Sequence, residues 1–99
     1  MSDTFSDYKW ALLQTSLECA VPMWMHELQH FSSAHLHRRA HHCAQVVAEK
    51  GDVLQFKGKG SAEAFNRLAE GIAVMALLIG KVDVLGCHFE APPGYEVAS

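Results

Sequence analysis

Apolar residues along this chain recur at three-and-four spacing through several stretches and alternate briefly near the end, a pattern that predicts a helical protein with a small extended part. The clearest stretch runs from Ser61 to Gly80. Phe65, Leu68, Ala69, Ile72, Ala73, Ala76 and Ile79 fall on one helical face, and Val74, Met75, Leu77 and Leu78 close the ring over the second half. Ser61 is a suitable N-cap, Glu63 puts a carboxylate in the first turn where the helix dipole favours it, and Gly80 follows the last apolar residue as a stop. Such a helix, amphipathic at its start and apolar all round at its end, belongs at the centre of the fold. Its apolar run is too short to span a bilayer.

Upstream, Thr4 or Ser6 can cap a first helix whose apolar face is Trp10, Leu13, Leu17 and Ala20 or Val21. Val21 precedes Pro22, and proline disfavours helical geometry in the residue before it, so a kink or a restart is expected there. From Met23 to Lys50 the period stays helical but the stripe moves. Trp24, Leu28 and Phe31 share one direction, whereas Leu36, Ala40, Cys43 and Val47 share another about 120° further round at 100° per residue. One straight helix cannot bury both, and Ser32 and Ser33, natural N-caps, mark the expected break. Val53 to Phe56 and Val82 to Leu85 are short extended runs that could pair as a two-stranded ribbon. Residues 91–99, with two prolines and a glycine, are expected to form a loose tail. The fold class is therefore mainly α, a compact single domain of three to four helices with a small ribbon.

Ninety-nine residues suffice for one core, and nearly every large apolar side chain must be packed to offset chain entropy, which leaves room for a homo-oligomer. The net charge of -3 gives no general affinity for nucleic acid or an anionic membrane. Three cysteines without close pairing, and an N-terminus with no basic-then-apolar leader, point to reduced thiols in a cytoplasm. The seven histidines change this picture. Protonating all of them moves the formal charge from -3 to +4, so association and solubility should respond to pH between about 5 and 7.

The histidines also supply the one motif that suggests catalysis. His26-Glu27-Leu28-Gln29-His30 matches H-E-x-x-H, in which two histidines one helical turn apart hold zinc and the glutamate polarises a water. A third protein ligand is then required. The metzincin extension would place glycine at Ser33 and histidine at Leu36, and the chain has neither. Against this stands a wet-face reading: on a continuous wheel His26, His30, His37 and His41 share a sector away from both apolar stripes. Among the cysteines, Cys43 fits the Leu36 to Val47 stripe as a small core residue, and only Cys87, next to His88, is a candidate nucleophile.

Two resemblances bear on function. Glu63-Ala-Phe-Asn66-Arg-Leu-Ala69, following H-E-x-x-H by some tens of residues, resembles the helix that supplies a glutamate ligand in ImmA/IrrE-type metallopeptidases. That resemblance implies zinc held by His26, His30 and Glu63, with Glu27 as the base. A broader one lies within the span from Val46 to Glu90, close to half the chain: V-V-A-E-K-G-D-V-L-Q-F from Val46, A-E-A-F-N-R-L-A-E-G-I-A-V-M-A from Ala62, and V-D-V-L-G-C-H-F-E from Val82. These resemble a group of small proteins carried by phages and related mobile elements, with the pattern G-D-x-L-x-F, F-N-x-L-A-x-G-x-A and a closing G-x-H-[WF]-E. That group has no established activity to carry over; small size and a phage setting favour the expectation of a cytoplasmic, non-enzymatic protein without a cofactor that binds a host protein or ribonucleoprotein complex and inhibits or modulates it, a CRISPR defence complex being the sharpest case. Glu49, Asp52, His88, Glu90 and Glu96 are the partner-binding candidates, as an acidic surface able to occupy a nucleic-acid site on such a partner.

Overall fold

The computed structural model describes residues 2–48 and 61–97. Its elements are α1 (Ser2–Leu28), α2 (Ser33–Ala48), α3 (Ser61–Ile79), β1 (Lys81–Val84) and β2 (Cys87–Glu90). The chain is mainly helical with a small antiparallel sheet, as its periodicities predict. Both other helices and both strands pack against α3. Leu68, Ala69, Ile72, Ala73, Val74, Ala76 and Leu77 are fully buried, and with Glu70 and Gly71 they make an unbroken buried run from Leu68 to Val74. Ile79, expected on the buried face, is instead 63% exposed. The helix stops one residue later, where Gly80 takes a left-handed φ of 97° that a side chain would resist.

Helix α1 differs from expectation at Pro22, through which it runs without interruption. Leu17, Val21, Met25 and Leu28 are buried at helical spacing on both sides of the proline. An internal proline costs a helix about 3 kcal/mol, while each such side chain contributes about 1.5–3 kcal/mol when buried. The stripe therefore outweighs the break, and Pro22 itself faces solvent. The predicted change of direction comes at Leu28. Gln29 N still donates to Met25 O at 3.0 Å, Phe31 N closes a tighter turn onto Leu28 O, and Ser32 Oγ then caps α2 by accepting from His35 N at 3.1 Å. Leu36 and Cys43 of α2 are fully buried against the core, on the predicted stripe.

The extended part is a hairpin. Val82 pairs with Phe89, Asp83 with His88 and Val84 with Cys87, so the partner of the Val82 strand is the segment immediately after it. The proposed pairing with Val53 to Phe56 lies outside the described residues. The connection is Leu85-Gly86, with φ of 55° and 79°, the double left-handed turn that matches strand twist. Leu85, Cys87 and Phe89 point into the core, leaving Lys81, Asp83, His88 and Glu90 outside. Residues 91–97 have no helix or strand, yet they are tied down: Ala91 N donates to Gly80 O at 2.8 Å, and Tyr95 packs half-buried on the core.

Candidate interaction surface

The proline that α1 absorbs shapes its outward side. Pro22, Met23 and the half-buried Trp24, with Ala20, Glu27 and Asn66, border a mainly apolar depression of about 590 Å³. Met23 is 69% exposed, more than Ile79, Leu12 or Val97. A second depression of about 420 Å³ shares Pro22 and His26 with the first and continues to Gln29, His88, Phe89 and Glu90. The end of α1 and the outer face of β2 thus form one surface, apolar at Met23 and polar toward the hairpin.

His88 organises the polar end. Its Nδ1 lies 2.5 Å from Asp83 Oδ1 across the strand pair, and its Nε2 lies 2.8 Å from Glu90 Oε2 on its own strand. Carboxylates accept hydrogen bonds, so serving both requires both ring nitrogens to carry protons. The hydrogen bonds to Glu90 and then to Asp83 accordingly raise the His88 pKa above its ordinary value. The hairpin tip is fixed to α1 from the other side, where Gln14 Nε2 donates to Leu85 O at 2.9 Å.

The H-E-x-x-H pentapeptide straddles the end of α1. Helix α1 ends at Leu28, which leaves His30 in the following turn and outside the continuous helix that the motif presupposes. The Gln29 side-chain amide approaches His26 Nδ1 at 3.3 Å, occupying that nitrogen as an acceptor, and Glu27 is exposed beside it. Glu63 faces solvent in the first turn of α3 and pairs with Arg67 at 3.5 Å. Among the described residues no group of three or more His, Cys, Asp or Glu side chains is placed to hold a metal ion. Cys87 is buried, and desolvation followed by the nearby Glu18 charge pushes its thiol pKa up, the opposite of an activated nucleophile. Adjacent in sequence, Cys87 and His88 point to opposite faces of β2.

Of the partner-binding candidates, His88 and Glu90 meet on the hairpin and share a depression with His26; Glu96 is exposed in the C-terminal segment, and Glu49 and Asp52 lie outside the described residues. Sequence reasoning missed Asp83 and the Pro22–Met23 side. Strict alternation through Val82, Val84, Cys87 and Phe89 was the available signal for the first; an apolar methionine off the buried stripe was the signal for the second.

The chain is a small protein of helices wrapped on a central helix and closed by a hairpin. In comparisons with protein-family models, curated proteins and solved structures it has no match.

Proposed function

We propose that this chain is a non-enzymatic binding protein whose partner seats on the outward side of α1 around Pro22 and Met23, with the hairpin as its polar rim. The observation that carries this reading is Met23, 69% exposed at the edge of a mainly apolar depression of about 590 Å³. Single exposed apolar residues are ordinary, but one adjoining an apolar hollow with polar groups around it has the composition of an interface core and rim. Asp83 and Glu90 flank the His88 imidazole and put two carboxylates on that rim. Such a rim favours a basic partner surface, including the nucleic-acid-binding site of a host protein or ribonucleoprotein complex. In the phage reading, occupying that site is how the protein inhibits the complex, a defence complex such as CRISPR being the sharpest case. A photo-crosslinking residue at position 23, compared with one at position 41 on α2, tests the proposal in host extract. One defined adduct from position 23 alone is the expected result; equal or no crosslinking from the two positions overturns it.

A further inference from the structure

Helix α2 carries a true one-turn histidine pair that the sequence motif in α1 only imitates. His37 and His41 are four residues apart well inside Ser33–Ala48, and both are exposed. Side chains at that spacing stand about 5–6 Å apart at Cβ on one helical face. His37 Nδ1 lies 2.8 Å from the Ser33 backbone carbonyl. A carbonyl oxygen only accepts, so Nδ1 carries the proton and the Nε2 lone pair of the neutral ring is left pointing away from the backbone. This is the arrangement by which a backbone carbonyl orients a metal-ligating imidazole and sets its tautomer. His26 shows the reverse, with Nδ1 approached by an amide donor.

We propose that His37 and His41 form a two-imidazole site for a borderline divalent transition-metal ion, zinc being the reference case, bound through Nε2 of His37. Among the described residues no third protein ligand is grouped there, and the rest of the coordination shell is completed by water or a further donor. Arg38 is exposed next to His37 and three residues from His41. Calcium and magnesium take oxygen ligands, which two imidazoles do not supply, and the neighbouring positive charge adds nothing in their favour, while zinc, nickel and copper gain from imidazole donation. This site is independent of the partner surface on α1 and needs neither Glu27 nor Glu63.

Zinc chloride titrated into the full-length chain, free of any histidine tag and in a non-chelating buffer, tests the assignment by calorimetry and by imidazole nitrogen NMR. Loss of an orienting partner alone costs a metal site roughly 10–100-fold in affinity, so His37→Ala and His41→Ala should each weaken binding by at least about tenfold. His26→Ala and His30→Ala should leave it unchanged, and the His37 Nε2 resonance should move on binding while Nδ1 stays protonated. Both ligand positions are exposed, so circular dichroism of the variants should match the parent chain. The assignment is overturned by zinc binding that survives the double substitution or disappears in His26→Ala or His30→Ala. No binding to the parent chain at millimolar zinc, or equal binding of calcium, overturns it as well.

Discussion

Leu85 holds a left-handed backbone conformation that ordinarily suits glycine or asparagine, at φ 55°, while its side chain is buried to 7% exposure. The strain of about 1–2 kcal/mol is outweighed by burial, since truncating such a leucine costs about 2–5 kcal/mol. Leu85→Asn therefore relieves the backbone and still destabilises, by about 1–3 kcal/mol in a denaturant midpoint series. Gly86→Ala has no compensating gain. Its φ is 79°, and a Cβ there would run into the Gln14 side-chain amide that anchors the turn. His88 gives a pH prediction with a definite sign. Its pKa is raised in the folded state by Glu90 and Asp83, so its contribution to hairpin stability is fully present below the unfolded value of about 6.5 and is lost as pH rises through the folded value. Imidazole NMR should find His88 titrating above about 6.5, and Glu90→Gln or Asp83→Asn should each move it down. An unshifted titration in the parent chain contradicts the clamp. The sequence names His88 and Glu90 as partner-binding candidates; Asp83 joins them only when the alternation through Val82, Val84, Cys87 and Phe89 is read together with a turn at Leu85-Gly86, which sets the cross-strand neighbour.

At the level of elements, α1 and the hairpin are where sequence and structure part. Ser32 and Gly80 were legible as helix boundaries because a cap or a left-handed stop acts locally, on backbone groups within one turn. Pro22 was misread because its local penalty competes with a burial stripe that only tertiary contact with α3 makes worth about 1.5–3 kcal/mol per residue. The clue lay in register: Leu13, Leu17, Val21, Met25 and Leu28 keep one phase across the proline. The Leu85-Gly86 turn was overlooked because leucine is a poor residue for the first left-handed position, where asparagine or aspartate would have signalled a hairpin. A consequence follows for α1. Since Pro22 faces solvent and takes a helix-interior position, Pro22→Ala should raise stability by about 1–3 kcal/mol, read from the same denaturant series. A destabilising outcome would mean that the proline ring itself packs in the fold. The H-E-x-x-H motif shows a related difference: it presupposes helix through both histidines, and α1 ends before the second.

Across the whole molecule, α3 is the common wall, and one ion pair helps fix α2 onto it. Glu70, at 6% exposure on α3, meets the half-exposed Arg39 guanidinium of α2. Arg39→Met leaves a buried carboxylate without its partner and should cost about 2 kcal/mol, below the roughly 3–5 kcal/mol of a fully buried pair because Arg39 is partly hydrated. Pairing it with Glu70→Leu should restore most of that loss, a coupling that a double-mutant cycle measures directly. Additive losses would show that the pair contributes little to α2 docking. The same arrangement leaves two outward sides with different chemistry: the Met23 side of α1 with the acidic hairpin, and the His37–His41 side of α2. No described helix is long and apolar enough to cross a membrane.

The side of α1 is where the account stands or falls. Met23→Asp adds a charge to the mouth of the apolar depression without touching a buried contact, so the fold should be unaffected, and affinity for the partner crosslinked through position 23 should drop at least about tenfold, as for a residue worth more than 1 kcal/mol at an interface centre. Unchanged affinity in a variant that unfolds at the parent midpoint would contradict the assignment of this surface.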